Sequence, residues 1–159
     1  MKNIKFQRAG VKDLQTIYNF MLMQANEERK YLNDLANKDK EDLFYTKSEI
    51  KNILSSQKNY MIIAKSGNIS KGCGLAKIEK ASKWNKYFSQ GYLGMLYVDK
   101  KHRRKGVAKA LQDNRINWLK SKEIRFLVTS VLSNNTPVIK LLDKRGFKPR
   151  LIQMYKELK

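Results

Sequence analysis

The sequence predicts an α/β fold in a single domain spanning residues 1–159, with a mixed, mostly antiparallel twisted sheet flanked by about four helices. Three observations favour this fold class. A chain of 159 residues is long enough to bury a substantial core within one domain. Segments of alternating polarity are interspersed with segments that have apolar residues at helical spacing. Two turn-like connections between residues 59 and 98 indicate three antiparallel neighbouring strands.

The N-terminal part begins with a short strand and a helix. Residues 4–9 (IKFQRA) alternate apolar and polar side chains, which predicts a strand that ends at Gly10. Apolar residues then recur at steps of three and four from Val11 toward Leu32. This spacing predicts a helix with one apolar face.

A second helix follows a polar segment. Residues 33–45 have no steady period and predict a loop or a broken helix. Thr46, with Glu49 three positions later, matches the capping-box pattern that marks a helix start. Ile50 and Ile53 supply the apolar side of this short helix.

The next segments are predicted to be strands followed by a helix. The strands are expected at residues 60–65, 74–81 and 91–98, separated by a turn and a loop. A helix is expected after the basic stretch, ending near Ser121. Its predicted apolar face consists of Val107, Ala110, Leu111, Asn114 and Trp118.

The C-terminal part is predicted to contain a strand, a helix and a last strand. Residues 124–131 form a continuous run that is typical of a strand covered on both faces. Residues 133–146 predict a capped helix with Pro137 in its first turn and Gly146 at its end. Residues 147–158 are expected to close the sheet as a strand.

The chain is strongly basic. Its net charge is +20, from 34 Lys and Arg against 14 Asp and Glu. Such an excess indicates a polyanionic partner or polyanionic surroundings, and it leaves RNA or ribosome association open. The alternative is a lysine-rich composition in which most cations are simply solvated.

Cysteine, histidine and hydropathy patterns exclude several classes of site. Cys73 and His102 are the only residues of their types, so no intramolecular disulfide can form and we expect no metal site. The longest apolar runs are far shorter than the ~20 residues that span a bilayer, and the N-terminus has no apolar signal region. We expect a cytoplasmic protein without membrane association, either a monomer or a homodimer.

A cluster of cations precedes the third predicted helix, in the stretch VDKKHRRKGVAKAL at 98–111. Positive charge is unfavourable beside the positive end of a helix dipole. However, a strand that leads through a glycine-containing turn into a helix can direct several backbone N–H groups at one bound anion. Taken alone, the stretch fits a solvated basic loop, a phosphate-binding turn or a nucleic-acid-binding patch.

Two motifs in this part of the chain carry a family resemblance. The segment RRKGVA at 103–108 fits the pattern Q/R-x-x-G-x-G/A and follows LGMLYVDKKH at 93–102. Downstream, Asn135 opens a predicted helix that closes with Gly146-Phe147. Together with the order of elements, these motifs resemble the GNAT superfamily of acyl-CoA-dependent N-acyltransferases, most clearly over residues 92–147.

The resemblance implies acetyl-CoA as the acyl donor and a splayed pair of parallel strands. Backbone amides of the glycine-containing turn are then expected to hold the coenzyme A pyrophosphate, and Leu96 and Val98 on the splayed strand to pair with the pantetheine arm. Asn135 matches a position that contacts the arm beyond the splay, although Asn also suits a helix cap. The turn residues are Arg103, Arg104, Lys105, Gly106, Val107 and Ala108.

The usual catalytic groups of the family have no counterpart at their positions here. Many members carry a tyrosine seven positions after the motif asparagine, where this chain has Leu142, and a glutamate on the splayed strand near the position of Tyr92. Acyl transfer to an amine needs a base and a proton donor for the leaving thiolate. Tyr92 is therefore our candidate acid and Glu79 our candidate base, against a core tyrosine and a solvated glutamate as alternatives.

The resemblance places the acceptor site beside the first two helices and the loop before the splayed strand. The candidate acceptor-binding residues are Glu27, Glu28, Tyr31 and Trp84, with Tyr87 and Phe88 nearby. Acidic residues attract a cationic amine and aromatic residues shape a pocket, but solvated charges and ordinary packing are the alternative. The basic chain disfavours polycationic acceptors, which it repels at long range.

Three functions follow from these observations. The first is an N-acetyltransferase that moves an acetyl group from acetyl-CoA to a primary amine. The second is an acyltransferase for an RNA-associated amine, on an aminoacyl-tRNA or a ribosomal protein, which the +20 charge motivates. The third is a nucleic-acid-binding module without catalytic activity.

Overall fold

The computed structural model describes residues 3–31, 45–83, 85–154 and 156. Within these residues, the strands and helices occur in the predicted order, except that no strand follows the last helix. The strands are β1 (Lys5–Arg8), β2 (Asn59–Ser66), β3 (Ile69–Lys80), β4 (Ser89–Val98) and β5 (Leu127–Val128). The helices are α1 (Leu14–Glu28), α2 (Lys47–Ser55), α3 (Val107–Ser121) and α4 (Thr136–Asp143), with 3₁₀ turns at Val11–Asp13, Arg29–Tyr31 and Lys100–His102.

The five strands form one mixed sheet in the order β1-β2-β3-β4-β5. The first three pairings are antiparallel, and β4 pairs with β5 in parallel. That parallel ladder is short, with Gly91 opposite Leu127 and Tyr92 opposite Val128, whereas β4 continues to Val98. The predicted mixed sheet with four flanking helices and a splayed parallel pair is confirmed.

Helices cover both faces of the sheet. On one face, α1 and α2 pack Ile17, Met21 and Ile50 against Ile63 and Leu75. On the other face, α3 packs through two clusters, one with Val107 and Leu111 and one with Leu119. The burial of these side chains in layers on both sides supplies the main favourable free energy of folding.

The helix starts follow local sequence signals. Thr46 Oγ1 accepts from the Glu49 amide at 3.2 Å, and Glu49 Oε2 accepts from the Thr46 amide at 2.7 Å, so the predicted capping box is present. Val11, by contrast, is 55% exposed. It lies in a 3₁₀ turn before α1, where three residues per turn shift side chains off the apolar face.

The apolar face predicted for α3 is displaced by one residue. The structure buries Val107, Leu111, Gln112, Arg115 and Leu119. Ala110, Asn114 and Trp118 are only half-buried. The series Val107, Leu111, Arg115 and Leu119 runs at i, i+4 spacing along the sheet, so a cation occupies a position in the core.

Two predictions for the C-terminal part are wrong. The strand expected over 124–131 spans only Leu127–Val128, and both residues are half-buried rather than covered on both sides. Residues 147–154 form no strand, and Leu151, Ile152 and Met154 are exposed. A strand requires an adjacent edge with which to pair, and the two-residue β5 offers only a short one. The expected loop at 33–45 falls almost wholly outside the described residues.

Within the described residues, none of the helices has both the length and the apolarity needed to span a membrane.

Candidate functional site

The turn between β4 and α3 has an unusual backbone conformation. Two of its residues have positive φ, Arg104 at 58° and Gly106 at 77°. Glycine reaches this left-handed region freely, whereas a side chain such as that of Arg104 is disfavoured there. Positive φ at alternate residues curls the chain so that successive amides converge. Strain of this kind is typical of functional sites.

The amides of this turn have free hydrogen-bonding capacity. Among the described residues, none accepts a hydrogen bond from the amides of Arg104, Lys105, Gly106, Val107 or Ala108. The Arg103 amide differs, because it donates to the Lys100 carbonyl at 3.4 Å. Several unpaired donors at the N-terminus of a 15-residue helix form an anion site. The amides from residue 104 onward are therefore free to bind an anion, and their role in binding phosphate stays a prediction.

The Arg103 side chain braces the turn against α1. Its Nη2 donates to both carboxylate oxygens of Glu27 on α1, at 2.8 and 2.7 Å, and its Nε donates to the Val98 carbonyl at 2.8 Å. The guanidinium carbon also lies 5.4 Å from the centre of the Tyr97 ring. Arg103 therefore links α1, the end of β4 and the turn.

A groove of about 660 Å³ opens beside this brace, between the C-terminal half of α1 and the turn. Glu27 and Tyr97 line it together with the cations Lys100 and Lys101. Burial raises the pKa of the Tyr97 phenol, and the nearby Glu27 carboxylate adds to the effect while Arg103 opposes it. Glu27 forms its ion pair with Arg103, and Lys100 Nζ lies 3.8 Å from Glu27 Oε1.

Beyond Tyr92, the edge of β4 that faces β5 is not paired with it, so backbone N–H and C=O groups on this edge are open to a ligand. The Asp99 amide donates to the Lys71 carbonyl of the neighbouring chain segment. Because donors alternate sides along a strand, the N–H and C=O groups of Leu96 and Val98 point away from β3, toward the splay. The Leu96 side chain itself packs toward α3. Leu96 thus offers an amide and a carbonyl to an extended ligand, whereas the Val98 carbonyl already binds Arg103.

A β-bulge interrupts β4 just before this open edge. Gly74 is opposite Leu96 but Ala76 is opposite Leu93, so Gly94 and Met95 together face the single residue Leu75. This bulge begins next to the point where the ladder with β5 ends.

Arg115 of α3 reaches the bulge and was not predicted as a site residue. Its Nη1 donates to the carbonyls of Leu75, Gly94 and Met95, at 2.9, 3.2 and 3.0 Å. The side chain is 1% exposed, and burial lowers its pKa to about 10, so it stays protonated at neutral pH. The sequence did contain a signal, because Arg115 lies four residues after Leu111 and four before Leu119.

Cys73 lies on the neighbouring strand near this guanidinium. It is fully buried, and burial raises the pKa of its thiol to about 12, although the charge of Arg115 acts in the opposite direction. The thiol is therefore protonated and packs as a small apolar group, as its place in a strand predicts.

Tyr92 lies next to the bulge. A Cβ atom built on Gly94 would be 3.4 Å from the Tyr92 ring, an ordinary contact, so Gly94 and the Tyr92 ring are neighbours on one face of the sheet. Tyr92 is opposite Lys77 in the ladder, and Glu79 is opposite Gln90. Side chains alternate between the two faces along a strand, so Tyr92 and Glu79 lie on the same face of the sheet. They are diagonal neighbours, because Glu79 is two residues from Lys77, which is opposite Tyr92.

Asn135 begins α4 and is 6% exposed. Its carbonyl accepts from the amides of Val138 and Ile139, both at 3.1 Å. Its side chain makes no capping hydrogen bond, which leaves the amide group for another ligand. Leu142, which stands where many relatives have a tyrosine, is half-buried near the end of this helix.

The predicted acceptor residues that the structure describes lie at the end of α1 and in the following 3₁₀ turn. Glu28 accepts from Gln24 at 2.9 Å on α1, and Tyr31 lies 4.8 Å from the Lys30 ammonium in the following 3₁₀ turn. Trp84 lies outside the described residues. Phe88, in the loop before β4, is 85% exposed.

The loop before β4 carries several contacts between aromatic rings and cations. Lys86 lies 5.3 Å from the Tyr87 ring, and Lys80 lies 5.9 Å from the ring of Phe88. Tyr87 also stacks on Phe126, with ring centres 6.2 Å apart. Arg150 lies 5.0 Å from the centre of the Phe126 ring. This group of rings and cations, which we call the aromatic-basic edge, lies near the start of the β4–β5 ladder.

Comparison with known families gives one match. The sequence model described as the acetyltransferase (GNAT) family matches residues 22–147. A search of curated proteins gave no significant match.

Solved structures with the same fold are numerous. The tetramutant of the BH1408 protein from Bacillus halodurans superposes with a TM-score of 0.81 at 13% identity, covering 97% of this chain and 99% of that one. A predicted acetyltransferase from Clostridium acetobutylicum, solved with acetyl-CoA, has a TM-score of 0.72 at 20% identity, covering 98% and 96%. The aminoglycoside N-acetyltransferase AAC(6')-Iy, solved with CoA, has a TM-score of 0.72 at 17% identity, covering 97% and 94%. At these identities the likeness shows a shared fold.

Proposed function

Because this chain belongs to the GNAT acetyltransferase family, we propose that it transfers an acetyl group from acetyl-CoA directly to a primary amine. The observation that carries the proposal is the row of unpaired amides from Arg104 to Ala108 at the N-terminus of α3. These donors suit the pyrophosphate of coenzyme A, whose negative charge also offsets the repulsion among the surrounding cations.

The remaining cofactor contacts extend from this turn along β4. Lys105 and Arg104 supply positive charge, and the Arg103 side chain holds the turn in place through Glu27 and Val98. The backbone of Leu96 and the amide of Val98 face the splay and pair with the pantetheine arm. Asn135, whose side chain makes no cap, contacts the arm from the opposite side of the splay.

Residues beside the bulge carry the proton transfers. The amine nitrogen attacks the thioester carbon, the carbon–sulfur bond breaks, and the thiolate leaves with the bonding electron pair. Tyr92, near Gly94 and at the last pair of the β4–β5 ladder, donates a proton to the thiolate. Glu79 lies on the same face and accepts the proton that the amine loses, directly or through water. Holding both reactants in one geometry itself contributes on the order of 7–11 kcal/mol.

The aromatic-basic edge supports a second candidate, an acceptor amine carried on RNA. Exposed aromatic rings beside cations are typical of surfaces on which single-stranded bases stack. Phe88 is exposed, and Lys80, Lys86 and Arg150 lie within 6 Å of aromatic rings in this group. This candidate predicts RNA binding that weakens steeply with salt.

Calorimetry with acetyl-CoA, followed by an assay of thiol release with a panel of amines, tests the proposal. We expect saturable binding of acetyl-CoA at one site and release of CoA that depends on an amine. Absence of binding by the folded protein would contradict an acetyltransferase function. For the second candidate, affinity for a tRNA is measured between low and moderate salt, and an affinity that does not change with salt would exclude it.

A further inference from the structure

Three backbone carbonyl groups at the bulge, one on β3 and two on β4, accept hydrogen bonds from a single side chain. Gly94 and Met95 face Leu75 in a two-to-one arrangement. The carbonyls of these three residues lie 2.9 to 3.2 Å from Arg115 Nη1. Arg115 therefore fixes the local geometry of β4 at the position where β4 separates from β5.

Core packing alone does not account for an arginine at this position. The side chain is 1% exposed, and the salt bridges of the described residues include none to Arg115. Its Nε is buried without a hydrogen-bond partner in the described structure. Burying a cation without an anion is costly, and an apolar residue would continue the series of Val107, Leu111 and Leu119. The charge thus has an energetic cost without an evident packing benefit.

The surrounding residues are arranged to hold this cation. Gln112 Oε1 accepts a hydrogen bond from Arg115 Nη2. A Cβ atom on Gly74 would lie 3.1 Å from Arg115 Cδ and 3.2 Å from Nε, so the absence of a side chain there leaves room for the arginine. The guanidinium is therefore built into the sheet–helix interface.

One peptide group connects the guanidinium to the open edge. The Met95 carbonyl, which accepts from Arg115 at 3.0 Å, belongs to the same peptide group as the Leu96 amide. That amide points away from β3, toward the splay. A charge-assisted hydrogen bond to the oxygen of a peptide polarises the unit and strengthens its N–H as a donor.

We propose that Arg115 is a positioning residue for acyl transfer, which fixes the β4 bulge and strengthens the Leu96 amide as a donor to a carbonyl of the acyl-pantetheine arm. This inference rests on the proposed function. It concerns the arm and not the nucleotide, because the pyrophosphate turn begins several residues further along the chain.

The test compares two ligands. Acetyl-CoA contains the acyl-pantetheine arm, whereas adenosine 3′-phosphate 5′-diphosphate is the nucleotide part of coenzyme A without it. Dissociation constants for both are measured by calorimetry for the wild type, Arg115→Gln, Arg115→Met and Arg115→Lys. The glutamine variant keeps neutral donors for the carbonyls, the methionine variant keeps apolar volume, and the lysine variant keeps the charge.

We expect Arg115→Gln and Arg115→Met to bind acetyl-CoA at least about fivefold more weakly while their affinity for the nucleotide stays within about twofold, since ionic hydrogen bonds are roughly twice as strong as neutral ones. We expect Arg115→Lys to lose less acetyl-CoA affinity than the glutamine variant. If Arg115→Met does not fold, the comparison of Gln with Lys decides the question.

If the glutamine and methionine variants lost affinity equally for both ligands, the role of Arg115 would be purely structural and the inference would be overturned. Unchanged acetyl-CoA affinity in folded Arg115→Gln would also overturn it. Failure of the wild-type protein to bind either ligand is a different result, because it contradicts the proposed function itself.

Discussion

Arg103 and Glu27 are 76 positions apart in the chain, and the Arg103 guanidinium contacts both oxygens of the Glu27 carboxylate at 2.7 and 2.8 Å. This pair joins α1 to the turn whose amides form the anion site. The Glu27 carboxylate, which was predicted to attract the acceptor amine, is paired with Arg103 of the turn. The pair therefore links this turn to the first helix.

A double-mutant cycle measures this brace. Glu27→Ala, Arg103→Ala and the double variant are compared by urea unfolding. Because both partners are partly exposed, we expect a coupling free energy of about 0.5–1 kcal/mol, the upper part of the range for surface pairs. The coupling should decrease at high salt. Single-variant effects that simply add would contradict a direct link between α1 and the turn.

Gly106→Ala tests the conformation of the anion site. At a φ of 77°, a Cβ atom is unfavourable, so we expect about 1 kcal/mol of destabilisation and a loss of acetyl-CoA affinity as the following amides reorient. Gly146→Ala is the matched control, because Gly146 has a φ of 82° at the end of α4. It should show similar destabilisation in thermal unfolding without loss of affinity. Equal loss of affinity in the two variants would argue against the turn as the pyrophosphate site.

Tyr92→Phe tests the proton donor. Removal of the phenol should lower kcat by about 100-fold or more and leave the KM for acetyl-CoA nearly unchanged, as expected for loss of a general acid. Tyr60→Phe is the control, because Tyr60 stacks on Trp118 at 5.2 Å, away from the splay. A kcat for Tyr92→Phe close to that of the control would remove Tyr92 from the mechanism.

Asp13 makes the stability of the folded protein depend on pH. Burial alone would raise the pKa of this carboxyl, but hydrogen bonds from Lys65 and the Gly10 amide, with the charge of Lys65, lower it below the ordinary value of 3.8. Because the pKa of Asp13 is lower in the folded state, the ionised carboxylate contributes its full stabilisation when the pH is above the unfolded-state pKa. This contribution is lost as the pH falls through the folded-state pKa.

Asp13→Asn should therefore be less stable than the wild type at pH 7, by about 2 kcal/mol. As the pH is lowered below 3.8, the wild type should lose stability faster, so that the difference becomes smaller. Urea unfolding of both proteins across this range provides the measurement. Parallel stability curves for the two proteins would contradict the assignment.

Local signals explain most of what the sequence predicted. The capping box at Thr46 and Glu49 depends on residues three apart, and the anion-binding turn depends on a strand, a glycine and a helix in succession. Both features are determined by neighbours in the chain. The order of β2, β3 and β4 was also predictable, because short connections between strands favour antiparallel pairing.

Features that depend on distant segments were missed. Nothing in the sequence marks Gly94 and Met95 as a bulge, because a bulge is defined by the register against Leu75. Arg115 was not among the residues predicted for the apolar face of α3, since charged residues are rarely buried. The prediction of a last strand was wrong for a related reason. Its apolar pattern is present at Leu151 and Ile152, but the short β5 does not pair with it.

The bulge in β4 also shifts, by one residue, the alternation of side chains between the two faces of the sheet. Before it, Leu93 contributes to the cluster around Leu119, and after it Met95 and Tyr97 join the core beneath α1. Deletion of Gly94 would place Leu93, Met95 and Leu96 opposite Ala76, Leu75 and Gly74 in a continuous ladder, and each later side chain of β4 would keep its present face. The extra residue therefore adds the Gly94 carbonyl to those that Arg115 binds, and it does so without moving the later side chains of β4 to the other face of the sheet.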